Sequence, residues 1–205
     1  MTSIILVRHG ANSYVEKGRL AGRKPNVHLN KLGKKQAAAV GAELAKVPIR
    51  AIYSSPLERT METAQLIAKP LGLKVKPRIG LIELDFGEWQ DKKLKDLSKT
   101  EDWKIVQFIP SRMCFPAGET FYEAQYRIVK ELDVLSRKHS DDEVIVCVSH
   151  ADVIKLVVAF HLGMPIDLFQ RLHIAPASLT ILKFSKHGAQ LLALNYESAF
   201  TLFNK

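Results

Sequence analysis

Short apolar runs rich in β-branched residues alternate along this chain with stretches in which apolar residues recur at helical spacing. The runs at residues 4–7, 51–53 and 143–148 predict buried strands. Helices are predicted between and after these runs, over about residues 31–46, 55–71, 121–137 and 151–160. Strands that alternate with helices form a sheet covered on both faces. The chain is therefore predicted to have an α/β fold, a three-layer α/β/α sandwich with a mostly parallel central sheet.

Turn signals set the expected limits of these elements. Ser55, Pro56 and Glu58 follow the order of a helix start, with Ser55 as the N-cap, Pro56 at the first helical position and Glu58 completing a capping box. The remaining predictions are extended chain over 79–84, an irregular and partly helical stretch over 88–117, and a closing pair of strands over 178–184 and 190–194.

The chain carries a formal net charge of +9 over 205 residues, which favours an anionic partner or substrate. Its basic residues are spread over 19–35, 69–78 and 92–104, and no aromatic-rich RNA-binding signature or zinc-finger spacing accompanies them. A solvated basic surface is therefore favoured, and no nucleic-acid partner is expected. No stretch approaches the about 18 apolar residues of a membrane span, so no membrane partner is expected either.

Cysteine usage and the first residues bear on the compartment. Cys114 and Cys147 are too few and too far apart for a disulfide framework or a metal motif, and Cys147 lies inside an apolar run that predicts a buried thiol. The N-terminus shows no basic region followed by a long apolar stretch. A cytoplasmic location is the expectation. The sequence does not determine the oligomeric state, and a homodimer is compatible with it.

Residues suited to phosphate chemistry follow several of the predicted elements. His9 and His150 each follow a strand, so in neighbouring parallel strands both imidazoles project from the same edge of the sheet. Arg8 precedes His9, and Arg59 lies in the first turns of a helix, where amide groups and the helix dipole already favour anions. Glu83 ends another extended run. Together these five residues predict a phosphoryl-transfer site.

Five motifs, in order and at the expected approximate spacing, resemble those of the histidine phosphatase superfamily, which includes the cofactor-dependent phosphoglycerate mutases. They are Leu-Val-Arg-His-Gly at 6–10, Tyr-Ser-Ser-Pro-Leu-Glu-Arg-Thr at 53–60, Glu-Leu-Asp-Phe-Gly-Glu-Trp at 83–89, Pro-Ala-Gly-Glu-Thr at 116–120 and Val-Ser-His at 148–150. Leu-Ala-Gly-Arg at 20–23 also fits. The resemblance implies a phosphoglycerate mutase-like fold.

The resemblance also implies roles for individual residues. His9 is expected to accept the phosphoryl group and form a phosphohistidine, and Glu83 to donate a proton to the leaving oxygen and later to serve as the base toward water. Arg8, Arg59 and His150 are expected to hold the phosphate oxygens and to form the catalytic set with His9 and Glu83. Phosphate contacts are further expected from Asn12 and Gly22. No metal site and no cofactor are expected.

Three functions remain open at this level. The favoured one is a metal-independent phosphomonoesterase that hydrolyses a small phosphorylated metabolite. The first alternative is a cofactor-dependent phosphoglycerate mutase, which would need a bisphosphate primer. The second alternative is a non-catalytic protein that binds a phosphorylated ligand or nucleic acid. In each case residues 1–205 are expected to form a single domain, with residues 88–117 as a lid-like insert over the substrate.

Overall fold

The structure is a computed structural model that describes residues 2–197. Its strands and α-helices are, in chain order, β1 (Thr2–Arg8), α1 (Ser13–Glu16), α2 (Lys31–Leu44), β2 (Ile49–Ser54), α3 (Glu58–Leu71), β3 (Val75–Pro77), α4 (Leu94–Leu97), α5 (Glu101–Phe108), α6 (Phe121–Lys138), β4 (Val144–Ser149), α7 (Ala151–His161), β5 (Leu179–Ser185) and β6 (Gly188–Tyr196). Short 3₁₀ turns lie at Ile79–Leu81, Gly87–Trp89, Pro110–Arg112 and Ile166–Arg171.

The six strands form one sheet in the spatial order β3-β2-β4-β1-β5-β6. Strands β3, β2, β4 and β1 pair in parallel. Strand β5 pairs antiparallel with β1, and β6 pairs antiparallel with β5, which forms the predicted closing pair. Because parallel neighbours need crossover connections, helices lie between the parallel strands and cover the sheet. The predicted α/β class with a mostly parallel sheet is confirmed.

Two apolar clusters fill the space on either side of this sheet. On one face Ile4, Leu6 and Cys147 belong to a buried cluster with side chains of α6 and α7. On the other face Ile5 and Val7 belong to a cluster with side chains of α2 and α3. Successive residues of a strand point to opposite faces, so a strand such as β1 is apolar throughout. This gives the three layers that the sequence predicts.

A third apolar cluster joins residues 84–115 to the α6 and α7 layer. It includes Trp89, Val106 and Phe115 from the segment predicted to be an insert, together with Phe121 and Leu156 from the two helices. Rings of Phe115 and Phe121 meet edge to face, with centroids 5.5 Å apart. The insert therefore has its own apolar contacts with the α/β layers, and its action as a lid stays a prediction.

The predicted start of α3 is wrong. The helix begins at Glu58, and its N-cap is Leu57, whose side chain makes no capping hydrogen bond. The reason lies in the sheet, because the amide of Ser55 donates to the carbonyl of Val148 at 2.9 Å and so prolongs the ladder between β2 and β4. The hydroxyl of Ser55 is directed instead toward His150, at 2.9 Å from its Nε2.

The prediction of extended chain over 79–84 is also wrong in its first half. Ile79–Leu81 form a 3₁₀ turn rather than a strand. The carbonyl oxygens of Gly80 and Ile82 accept hydrogen bonds from Arg127 Nη1 at 3.0 and 2.8 Å, a partner that a neighbouring strand would otherwise have supplied.

No helix among residues 2–197 is both long and apolar enough to cross a membrane. The predicted single domain extends to residue 205, and residues 198–205 lie outside the described part of the chain. The homodimer and the cytoplasmic location stay predictions.

Candidate active site

The pairing of β1 with β4 brings the two predicted histidines together. Arg8 lies opposite Ser149 in the parallel register, so His9 and His150 follow at the same edge of the sheet. The amide of His9 donates to the carbonyl of Ser149 at 3.0 Å. Both rings are buried, and their centroids are 5.3 Å apart at an angle of 64°. Two residues separated by most of the chain thus share one small volume.

Glycines bring the chain after β1 into close contact with the helix layer behind it. A Cβ atom on Gly10 would lie 2.5 Å from the carbonyl oxygen of Gly33, and one on Gly33 would lie 2.0 Å from that of Ala11. The amide of Gly10 also donates to Thr63 Oγ1 in α3, at 3.1 Å. The backbone that carries His9 is therefore fixed against both α2 and α3.

Hydrogen bonds define which nitrogen of His9 carries the proton. Its Nδ1 lies 2.8 Å from the carbonyl oxygen of Gly10, which can only accept, so Nδ1 is the protonated atom. Its Nε2 accepts from Arg59 Nε at 3.3 Å. Burial, followed by the charges of Arg59 and Arg8, lowers the pKa of His9 well below its usual value. The ring is thus neutral, with the lone pair of Nε2 directed into the site.

Two guanidinium groups flank this lone pair and retain free donors. Arg59 is fully buried, and its Nη2 donates to the carbonyl of Gly22 at 2.6 Å. Arg8 Nη1 donates to the carbonyl of Ile174 at 2.6 Å. Arg59 Nη1 and Arg8 Nε are buried without a hydrogen-bond partner among the described residues. Buried donors on cations call for an acceptor, and an anion bound beside His9 would supply it.

His150 completes the polar surroundings of Arg59. Its Nδ1 lies 3.2 Å from Arg59 Nη2 and 3.5 Å from Glu83 Oε2, and its Nε2 lies 2.9 Å from Ser55 Oγ. Burial is the main cause of a pKa well below the usual value for His150, and the charge of Arg59 adds to it. Because the guanidinium of Arg59 can only donate, Nδ1 accepts its hydrogen bond, and the proton of the neutral imidazole lies on Nε2, which donates to Ser55 Oγ.

Glu83 lies beside these groups and holds its proton more tightly than an ordinary carboxyl group does. Its side chain is 12% exposed, and Oε2 is 4.0 Å from Arg59 Nη2. Burial, with a smaller contribution from the charge of Asp152, raises the pKa of Glu83 to about 7, while Arg59 acts in the opposite direction. A carboxyl group with a pKa near neutrality can give up and take back a proton at physiological pH.

Three residues that the sequence analysis did not assign hold the Glu83 segment in place. Arg23 Nε donates to the carbonyl of Glu83 at 2.8 Å. Glu119 Oε1 accepts from the amide of Asp85 at 2.9 Å, and it also pairs with Arg23 and Arg127 at 2.9 and 2.7 Å. Arg23 and Glu119 belong to recognised motifs, so a signal was present. Arg127 lies within an amphipathic helix, where an arginine carries no signal of its own.

The two remaining predicted site residues line the same cavity. Asn12 is buried, and its Oδ1 is the N-cap acceptor of α1, receiving the amides of Tyr14 and Val15 at 3.0 and 2.9 Å. That oxygen is therefore engaged in the fold. Gly22 has a φ of +53°, and a Cβ atom there would lie 2.6 Å from the side chain of Gln90. Its carbonyl accepts from Arg59 Nη2, so Gly22 orients that guanidinium.

Six of the predicted site residues line a cavity of about 360 Å³, whereas His150 is fully buried behind that lining. The six are Arg8, His9, Asn12, Gly22, Arg59 and Glu83. The floor of the cavity is polar, and its walls include Phe86, Trp89, Trp103 and Val106 from the segment between β3 and α6. Among residues 2–197, no three His, Cys, Asp or Glu side chains are grouped in a way that could hold a metal ion. The site offers buried cations, a neutral imidazole lone pair and a carboxyl group that can exchange a proton, which together suit transfer of a phosphoryl group.

Comparison with known proteins identifies the family of this chain. The family model of the histidine phosphatase superfamily (branch 1) matches residues 4–197. Phosphoserine phosphatase 1 of Hydrogenobacter thermophilus is 29% identical over 197 residues, which are 95% of this chain and 92% of that protein. The bifunctional protein Rv2228c of Mycobacterium tuberculosis is 30% identical over 201 residues, which are 97% of this chain, and the match spans only 55% of that protein.

A solved structure of similar fold supports the architecture. Bacillus stearothermophilus YhfR superposes with a TM-score of 0.90 at 22% identity, over 97% of this chain and 98% of that one. These matches confirm the resemblance inferred from the five motifs. The chain belongs to the histidine phosphatase superfamily, branch 1.

Proposed function

We propose that the protein is a metal-independent phosphomonoesterase that transfers the phosphoryl group of a small phosphate ester to Nε2 of His9. The observation that carries the proposal is the pairing of a neutral, inward-facing Nε2 with unpartnered donors on Arg8 and Arg59. A nucleophilic nitrogen must be unprotonated, and the oxygens of a phosphoryl group in transfer need fixed positive charge. His150 lies 3.2 Å from Arg59 Nη2 through its Nδ1 and is proposed to position that guanidinium on the phosphate. Asn12 and Gly22 support the pocket around it.

The first half of the reaction transfers the phosphoryl group to the enzyme. His9 Nε2 forms a bond to phosphorus while the bond from phosphorus to the ester oxygen breaks. Protonated Glu83 gives its proton to that oxygen, which leaves as an alcohol. In the second half, ionised Glu83 takes a proton from water, and the water oxygen displaces His9 from phosphorus. Inorganic phosphate is released, and both His9 and Glu83 return to their starting states.

The pKa of Glu83 suits this double use. With a pKa near 7 the carboxyl group is protonated and ionised in comparable amounts at neutral pH, so neither half-reaction lacks its acid or its base. Phosphate esters of small metabolites are the proposed substrates, in keeping with a relative named as a phosphatase. Transfer of the phosphoryl group back to a bound phosphoglycerate, as in a mutase primed by a bisphosphate, is the alternative outcome.

The test compares hydrolysis of p-nitrophenyl phosphate by the wild-type protein and by His9→Ala, both in excess EDTA. The wild type is expected to remain active, and His9→Ala to lose turnover by roughly 10³-fold or more, because the nucleophile is removed. His187→Ala is the matched control, since His187 is exposed in the turn between β5 and β6. Its activity should equal that of the wild type. Loss of wild-type activity in EDTA would contradict the metal-independent mechanism.

The intermediate and the alternative have separate readouts. Protein quenched in alkali during turnover should carry a phosphoryl group on the peptide that contains His9, because phosphohistidine survives base better than acid.

Incubation with 3-phosphoglycerate and a bisphosphate primer distinguishes hydrolysis from the mutase reaction. Free phosphate supports the phosphatase, whereas accumulation of 2-phosphoglycerate would overturn it in favour of a mutase. Turnover unaffected by His9→Ala would refute both.

A further inference from the structure

We infer that the cavity selects phosphate esters whose alcohol part is bulky, apolar and free of a carboxylate. The inference rests on the proposed phosphatase function and concerns the other end of the same cavity. Arg8, His9 and Arg59 form the floor of the cavity, where the phosphate group is proposed to bind. The other residues that line the cavity determine which alcohol can occupy the space beyond this floor.

One face of α5 forms an apolar wall of this space. Three side chains of α5 line the cavity. They are Trp103 and the two residues that follow it by three and four positions, Val106 and Gln107, which share its face of the helix. Trp103 stacks on Trp89, with ring centroids 6.4 Å apart and an angle of 18°. Leu94, which is partly buried, lines the same cavity. Gln107 is the polar side chain on this face, and it is uncharged.

The positive charges beyond the phosphate floor are already paired. Arg19 lies against Asp91, with Nη2 and Oδ1 2.7 Å apart. Lys155 lies 3.1 Å from Asp152 Oδ1 and 3.0 Å from Gln170 Oε1. Among the described residues that line the cavity, every Lys or Arg outside the phosphate floor therefore has a carboxylate partner. A carboxylate on the substrate would have to share Arg19 with Asp91 or Lys155 with Asp152, so it would meet a cation whose charge is already balanced.

The apolar wall and the paired cations both favour an apolar alcohol over a carboxylated one. An apolar alcohol buries its surface against Trp103 and Leu94, at about 25 cal/mol for each Å² removed from water. A carboxylated alcohol loses water and gains only a cation that is already neutralised by Asp91 or Asp152. Esters such as those of an aryl-substituted alkyl alcohol are therefore expected to react better than esters of serine or glyceric acid.

The experiment measures kcat/KM for three esters of primary alcohols, so that differences in leaving-group reactivity stay small. They are 2-phenylethyl phosphate, ethyl phosphate and O-phosphoserine. We expect the wild-type protein to prefer 2-phenylethyl phosphate over ethyl phosphate by about 10-fold, and over phosphoserine by about 10-fold or more. Trp103→Ala should reduce both ratios by about 5- to 10-fold, with little change for ethyl phosphate.

A matched substitution on the same helix controls for the loss of an aromatic ring. Phe108 is 74% exposed and does not line the cavity, so Phe108→Ala should keep both ratios at their wild-type values. A wild-type preference for phosphoserine would overturn the inference and leave the phosphatase function standing. Equal ratios in the wild type and Trp103→Ala would also overturn it. Hydrolysis of none of the three esters would contradict the phosphatase function itself.

Discussion

Glu83 and Asp152 both interact with the charge of Arg8, and the ionisation of Glu83 depends on the charge of Asp152. The charge of Asp152 raises the pKa of Glu83, whereas the charges of Arg59 and Arg8 lower it. Both carboxylates in turn favour the charged form of Arg8. The pKa of Glu83 therefore depends mainly on its burial and, to a smaller extent, on the charge of Asp152. Asp152 takes no part in the proposed bond changes. It can be altered while Glu83 is kept.

Asp152→Asn is expected to move the pH dependence of kcat/KM for 2-phenylethyl phosphate. Transfer to His9 requires protonated Glu83, so kcat/KM should fall as pH rises through about 7. Removal of the negative charge of Asp152 stabilises ionised Glu83 and lowers its pKa. The falling limb should therefore move to lower pH, by several tenths of a unit to about one unit.

Asp96→Asn tests whether the shift depends on position. Asp96 is exposed in α4, so the substitution changes the net charge equally without approaching Glu83. Its pH profile should match that of the wild type. A limb that moves to higher pH in Asp152→Asn would contradict the proposed role of Glu83 as the acid. A falling limb at the wild-type pH would show that Asp152 does not affect the pKa of Glu83.

At the level of elements, the sequence predicted the strands and helices more accurately than the connections between them. Continuous apolar runs reveal β1 and β4 because both faces of these strands are buried. The start of α3 was misplaced because Ser55 has the side chain of an N-cap, while its backbone continues the sheet. The turn at residues 79–81 depends on Arg127, which contacts it from a distant helix. Local sequence does not encode such partners.

The loop between Glu83 and the insert depends on a glycine that tolerates no side chain. Gly87 has a φ of +48°, and a Cβ atom there would lie 2.0 Å from the carbonyl oxygen of Pro116. Gly87→Ala is expected to lower the free energy of unfolding by roughly 3 kcal/mol or more, through both backbone strain and this clash. Activity should fall as well, because the amide of Gly87 donates to Asp85 in the segment that carries Glu83.

Gly72 offers the matched control for this substitution. It has a φ of +63°, and beyond its own chain neighbours no heavy atom of residues 2–197 lies within 4 Å of the position of its Cβ. Gly72→Ala should therefore cost only the strain of a left-handed alanine, about 1–2 kcal/mol. Denaturant unfolding of both variants measures the difference. Equal losses of stability would contradict the close contact between Gly87 and Pro116.

At the level of the whole molecule, the site joins both helix layers to the edge of the sheet. Arg59 comes from the layer of α2 and α3, and His150 precedes α7 in the opposite layer. The motifs allowed these residues to be predicted together, because each immediately follows a strand or begins a helix. Arg127 and Asp152 could not be predicted in the same way. Their contributions come from tertiary distances that no short motif specifies.

The central position of β4 can be checked through the chain's two cysteines. Cys147 is fully buried in β4, between β2 and β1, and burial raises the pKa of its thiol above the usual range. Cys114 is exposed. In native protein a thiol reagent should therefore modify one cysteine per chain rapidly. Modification of Cys147 should be slower by roughly 10⁴-fold or more, because it requires the central sheet to open. Cys114→Ser isolates that slow phase, which should accelerate with added urea. If Cys147 reacted as fast as Cys114 in native protein, the burial of β4 would be refuted.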